Sequence, residues 1–323
     1  MRRWITRIAL GLLALVGVLL VCGASYEALA RRQLASHFSL SGQRVDIGSR
    51  FLHIDCRGTG SPTVVFESGL GTSGALDWSL VHDEIAKTTR ACGYSRAGIL
   101  ASDPGIGERD ANAVAQDLHV LLERAGERSP LVLVAHSLGG LYALTYVQKF
   151  GAEVAGLVMI DTFHPDSTQR MAAAGLHVPL PLRPLQVASV LGRLGLLRLL
   201  GSDEAEAAYE PTSLSAMLRE LQALDQSSAQ AGLLRQLGSR PLYVLSAGKL
   251  EEQFLAEAQL TAEQGSQFMA VKRALNEELA SWSSQSQHEV VADSGHAIHW
   301  EQPERVISAT RWVIDAVRTV ATR

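Results

Sequence analysis

Residues 131–150, LVLVAHSLGGLYALTYVQKF, change their period partway along. Leu131–Val134 is a four-residue apolar run, and from Leu141 onward the apolar residues fall at helical spacing. Only Ala135, His136, Ser137, Leu138, Gly139 and Gly140 separate the two patterns. A buried strand that becomes a helix within so few residues commits the chain to a strand–helix–strand unit. The helix has to return over the face of the sheet before the next parallel strand can pair. The apolar run VAGLVMID at 154–161 is the strand such a helix would feed.

The same alternation extends along most of the chain. Val45–Ile47 and Phe51–Cys56 read as a hairpin joined through Gly48-Ser49, and Thr63–Phe66 as a buried strand after Pro62. A helical stretch around Trp78–Lys87 leads to a strand at Arg90–Tyr94. Asp110–Arg124 carries Val114, Leu118, Leu121 and Leu122 on one helical face. After the central unit come the strand RPLYVLSAG, a helix, the short strand HEVV and a last helix beyond Pro303. The expected fold is α/β: a mostly parallel eight-stranded sheet with helices on both faces. Apolar residues make up 47% of the 323, enough to bury such a sheet.

Residues 165–235 interrupt this rhythm. They are helix-rich, show no convincing strand, and contain the Leu-rich piece VASVLGRLGLLRLL. We expect a helical lid inserted after the sixth strand, with the Leu-rich piece as its core or, alternatively, as a lipid-touching surface. The N-terminus is different again. MRRWITR carries three arginines, and Ile8–Tyr26 is then free of charge, long enough as a helix to reach ~28 Å. A retained signal anchor and a signal cleaved after Ala30 both fit. Either way the leading arginines stay in the cytoplasm and the rest lies outside it, an orientation that Arg31 and Arg32 weaken. The expected division is a membrane segment at 1–30, a polar linker at 31–42, a core at 43–164 and 236–323, and the lid at 165–235.

The chemistry centres on Ser137. A serine on a tight strand-to-helix turn, flanked at two residues' distance by Ala135 and Gly139, has the form of a nucleophile elbow, where small neighbours let strand and helix pass closely. A serine hydroxyl needs a base. Among ten histidines, His296 in DSGHAIHWEQP lies just past the last short strand, and serine–acid–histidine is the chain order this motif carries. His299 completes an H-x-x-H pair with no third ligand nearby, so it reads as a brace or pocket residue and no metal is expected. His136 reads as packed beside the sheet. The acid that orients the base is Asp161, at the end of MID, or else Glu251 or Glu252 after the next strand. Oxyanion donors would be the backbone N–H of Leu138 and, from the Gly-rich loop ESGLGTSG, that of Leu70.

From about residue 43 to 320 the chain resembles an α/β-hydrolase of the fold-1 type. The segments VVFESGLG, CGYSRAG, VAHSLGGLYALTYVQKFGAEVAGLVMIDTFHPD and DSGHAIHWEQPE fall in family order. The resemblance is strongest to membrane-anchored or exported bacterial members. Ala135 replaces the first elbow glycine, Ser95 stands where the family often has aspartate, and the usual aspartate after the later strand is missing. The resemblance implies a serine hydrolase acting on a small-molecule or lipid-like ester through an acyl-enzyme, without cofactor. An amidase or aminopeptidase of the same fold, or an inactive membrane-bound binding protein, are the alternatives. A serine nucleophile argues against epoxide hydrolase or haloalkane dehalogenase chemistry, which uses an aspartate there. The net charge of −4 makes nucleic acid an unsuitable partner. The family's strand order would also bring Cys56 and Cys92 onto neighbouring strands, as a disulfide or as two free thiols, with Cys22 in the membrane segment.

Overall fold

The computed structural model describes residues 2–37, 40–198 and 210–321. Eight strands form one sheet: β1 (Gln43–Asp46), β2 (Phe51–Arg57), β3 (Thr63–Glu67), β4 (Ala91–Ser95), β5 (Leu131–His136), β6 (Val154–Ile160), β7 (Leu242–Ala247) and β8 (Ser286–Val291). Their order is β1-β2-β4-β3-β5-β6-β7-β8. β1 and β2 run antiparallel to each other, β2 runs antiparallel to β4, and all further neighbours are parallel. The expected sheet is the one observed.

Alternate residues of the central strands feed two separate cores, because strand side chains point to opposite faces. Val65, Leu133, Ala135 and Leu157 belong to one core, and Val64, Val132, Val134 and Val158 to the other. The first core is covered by α3 (Ala111–Ala125) and α4 (Gly139–Phe150), the second by α2 (His82–Ala86) and α12 (Pro303–Ala321). Helix α12 buries Val306, Ala309, Val313, Ile314 and Val317, a stripe at helical spacing. Where a helix was expected over Trp78–Lys87, the chain makes a 3-10 turn at Gly74–Trp78 and then the single-turn α2. Trp78 is fully buried and stacks on Phe66, so tertiary packing sets this stretch rather than helical period. Cys56 and Cys92, direct partners on β2 and β4, are joined in a disulfide, and Cys22 is free.

Helix α1 runs from Arg2 to His37, so Arg31–His37 is helical where a linker was expected. Its sequence holds no proline or glycine after Gly23, and Ala, Leu, Arg and Gln all favour continuation. The 28 residues Arg3–Ala30 are long and apolar enough to cross a membrane, and their most apolar 18 residues have a mean hydropathy of 2.5 and are not buried.

Between β6 and β7 the described residues form four helices: α5 (Ser167–Ala173), α6 (Leu182–Arg193), α7 (Glu210–Gln222) and α8 (Leu224–Ala231). Part of the Leu-rich piece, residues 199 and 200, lies outside the described residues. Helix α8 is tied to the start of α3. Ser227 Oγ accepts from Ala111 N–H at 3.0 Å, Gln230 Oε1 accepts from Asn112 N–H at 2.8 Å, and the cap residue Asp110 accepts from Gln226 and Gln230. These contacts satisfy the otherwise orphaned first N–H groups of α3. Between β7 and β8 stand α9 (Glu252–Glu257) and α10 (Ala262–Ala280), and after β8 the short α11 (Ile298–Glu301). Helix α10 opens on Thr261, whose side chain and Gln264 form a capping box.

Candidate active site

Ser137 sits between β5 and α4 with φ at +52°, a conformation that L side chains avoid unless their surroundings enforce it. The enforcement is visible. Ser137 N–H donates to Ile160 C=O at 3.2 Å, while Ser137 C=O accepts from Gly140 N–H at 3.0 Å and from Phe163 N–H at 2.8 Å. The two glycines that follow are required sterically. A Cβ on Gly139 would fall 2.6 Å from the carbonyl oxygens of Glu67 and Ser68, and one on Gly140 would fall 2.5 Å from Thr162 Cβ. Ala135 is fully buried within the first core, so a methyl is accommodated at the position that carries glycine in the usual motif.

His296 follows β8 and reaches back across the sheet edge. Its Nε2 lies 2.9 Å from Ser137 Oγ, and its Nδ1 lies 2.5 Å from Asp161 Oδ2. A carboxylate can only accept, so Nδ1 carries the proton and donates, leaving Nε2 free to accept from the serine hydroxyl. Asp161 ends β6 with φ at +43°, and its Oδ1 accepts from Ala247 N–H at 3.1 Å. Of the three carboxyls weighed from sequence, the structure brings Asp161 to the imidazole. Glu251 is exposed and lies beside Gly295, and Glu252 is exposed in the first turn of α9.

Asp161 has one further partner that the sequence did not disclose: Lys272 Nζ, from the middle of α10, donates to the same Oδ2 that meets His296. Burial by itself would raise the Asp161 carboxyl. The ammonium of Lys272 and the hydrogen bond from His296 outweigh it and hold the group well below the usual carboxylate range. In sequence, a lysine within a polar helix reads as a solvated residue. The signal available was its spacing from Phe268 and Met269, which line the same cavity.

The loop after β3 approaches Ser137 closely. A Cβ on Gly69 would fall 3.0 Å from Ser137 Cβ and 2.8 Å from His136 Nδ1. Leu70 follows in that loop, and Leu138 begins α4. Among the described residues neither N–H has an acceptor within the protein. The loop is fixed from behind by Arg96, which is 4% exposed and uses all five of its N–H groups. They go to Ser68 C=O and Gly69 C=O at 2.7 Å each, to Glu67 Oε1 at 2.8 Å, and to both oxygens of Glu220 on α7 at 2.8 Å. The guanidinium also lies 5.0 Å from the centre of the Tyr142 ring on α4. Burial pushes the Glu67 carboxyl up to about 7, against the pull of Arg96 and of the Tyr94 hydroxyl. Arg96 belongs to the stretch CGYSRAG, but nothing local in the sequence indicates its bracing role.

His136 and His299 pack behind the relay. His136 donates its Nε2–H to His296 C=O at 3.0 Å, and its ring leans on those of His296 and His299. Burial, then the neighbouring His296 and His299, hold His136 well below its usual value, and burial followed by His296 holds His299 at about 4. His299 contacts Trp78 and His136 and does not reach the cavity. His164, Asp166 and Glu278 offer a set of metal-ligand atoms, but Arg235 pairs with Asp166 and Arg170 with Glu278, so the carboxylate charge is already matched.

A cavity of about 1020 Å³ opens onto Ser137, Asp161 and His296. Its lining is mostly apolar, with Met171, Leu176 and Leu180 from the insertion and Phe254, Phe268 and Met269 from α9 and α10, beside the polar His177, Gln253 and Glu257.

The comparisons with known proteins agree with this architecture. The esterase of Thermogutta terrifontis superposes with a TM-score of 0.55 at 22% identity, covering 86% of this chain and 99% of the other. An epoxide hydrolase of Bacillus megaterium superposes with a TM-score of 0.60 at 14% identity, covering 84% and 100%. Identities this low speak for the fold alone. In sequence, the chain is 27% identical to the Hormonema carpetanum protein named Probable transporter efuK over 86% of its own length, and 26% identical to Bacillus subtilis YqjL over 77%. It spans 44% of the former and 82% of the latter. The model of the Alpha/beta hydrolase family matches residues 18–309, and with that span the chain belongs to the alpha/beta hydrolase family.

Proposed function

We propose that the protein is a serine hydrolase that cleaves a carboxylic ester through an acyl-enzyme. The observation that carries this reading is the continuous relay Ser137 Oγ–His296–Asp161, at 2.9 and 2.5 Å, opening into an apolar cavity. Ser137 Oγ attacks the ester carbonyl as its proton passes to His296 Nε2. Asp161 keeps the ring in the tautomer that can accept, and offsets the charge it gains. The N–H groups of Leu70 and Leu138 receive the oxyanion, a role supported by the absence of an acceptor for either among the described residues. His296 returns the proton to the leaving alkoxide, and the ring then activates the water that releases the acid and restores Ser137.

The cavity wall favours an apolar acyl chain, since Leu176, Leu180, Phe254 and Phe268 offer it no polar partner. Labelling with a fluorophosphonate and a chain-length series of p-nitrophenyl esters test the reading together. We expect one labelled serine and a rate that rises from acetyl to medium-length acyl groups. Labelling without turnover of any ester would transfer the reading to amide substrates, and no labelling would leave a binding protein.

Helix α1 supports a membrane-held protein, with its three leading arginines on the cytoplasmic side and residues 40–321 outside. The Cys56–Cys92 disulfide suits an oxidising compartment. Protease added to intact spheroplasts of an expressing bacterium should digest the catalytic domain, and full protection would overturn the orientation.

A further inference from the structure

Lys272 shares the carboxylate of Asp161 with His296, and this changes the electrostatics of the relay. Asp161 Oδ2 receives both donors, with His296 Nδ1 at 2.5 Å and the ammonium in direct contact. The ring and the ammonium therefore stand within about 5 Å of each other, a range at which like charges oppose each other's charged forms. The Lys272 side chain is 20% exposed, that of Asp161 1% and that of His296 47%, so bulk water screens the coupling only in part. With the hydroxyl intact, the group Asp161⁻, Lys272⁺ and neutral His296 has no net charge. Once His296 has taken the serine proton, the +1 that appears is matched by the −1 of the oxyanion. Without Lys272 the same group would carry −1 at both stages, and a proton would be held on His296 more readily in the resting state.

We propose that Lys272 is a positioning residue that, by occupying Asp161 alongside His296, keeps the base unprotonated and the enzyme active at more acidic pH. The inference rests on the acyl-transfer reading above. It also fits a catalytic domain outside the cytoplasm, where pH follows the surroundings. Other groups face the ring and remain in every variant. His136 leans on it at a tilt from the end of β5 and His299 stands behind it on α11, both held neutral by burial. Glu251 and Glu301 approach Gly295, the residue before it, and Lys249 lies toward Asp293. Among the described residues, Lys272 is the cation that touches the Asp161 carboxylate.

The test compares the pH dependence of kcat/KM for the full-length protein, Lys272→Met, Lys272→Gln and Lys272→Arg, on a short p-nitrophenyl ester. We expect the acid limb of the Met and Gln variants to move up by about 1–2 pH units. Lys272→Arg should leave the limb near its original place. A lysine with a merely structural role would lower the plateau and leave the limb where it was, and that result overturns the proposal. So does an Arg variant that shifts as far as the Met variant. NMR of ring-¹⁵N-labelled histidine follows the pH at which the His296 ring takes up its proton, with no substrate present. It separates a failure of this inference from a failure of the acyl-transfer reading. An upward move of that midpoint in Lys272→Met supports the coupling even if no ester is turned over, and an unmoved midpoint refutes it.

Discussion

Ser137→Ala and His296→Ala should each reduce ester turnover by a factor on the order of 10⁵–10⁶, with the thermal transition of the far-ultraviolet circular dichroism little changed. The size follows from the chemistry. Without Oγ there is no acyl-enzyme, and without the imidazole Oγ keeps a proton that makes it a poor nucleophile. What survives is the contribution of the oxyanion donors and of binding. Because the two groups act as one unit, the double variant should be scarcely slower than either single one. Ser137→Ala should not be labelled by a fluorophosphonate, which separates loss of the nucleophile from loss of the fold. If either variant retained more than ~1% of the wild-type rate, the assignment of nucleophile and base would be wrong.

Asp161→Asn should lower kcat by about 10⁴ with the fold retained. The amide can still meet the ring, but it presents N–H where the carboxylate presented an acceptor, and so favours the tautomer whose Nε2 carries the proton and cannot take another. Lys272 would also lose its counter-charge in a largely buried place, so some loss of stability is expected alongside. Glu251→Gln and Glu252→Gln, both exposed, should leave the rate within about twofold, as surface substitutions usually do. A mild Asp161→Asn with a crippled glutamate variant would move the acid to the loop after β7.

The sequence was most informative where the information is local. The turn from Val134 to Gly140, the apolar runs of the strands and the histidine past the last strand are each fixed by neighbouring residues. From these the sheet, and the meeting of Ser137 with His296, could be read. Asp161 was harder, because it stood at a strand end while Glu251 and Glu252 stood beyond the next strand, and only distance separates the three. The structure gives that distance, together with a positive φ that points the Asp161 side chain toward the imidazole. Lys272 and Arg96 were not legible, since their partners lie 111 residues away for Lys272 and up to 124 for Arg96. The continuation of α1 to His37 was missed because polarity was read as a linker, whereas helix propensity does not depend on burial.

Arg96 has a consequence for motion. Its guanidinium holds the Ser68 and Gly69 carbonyls with one part and Glu220 of α7 with another, and no N–H is left over. The insertion is held at several places: α7 and α8 are tied to the turn beside Ser137 and to the start of α3, α5 is tied to α10 through Arg170 and Glu278, and α6 to α7 through Ser189 and Ser215. Pulling α7 away would strip two of the five Arg96 donors of their partners and slacken the Gly69–Leu70 turn, so the placement of the insertion and the shape of the turn beside Ser137 are coupled through one side chain.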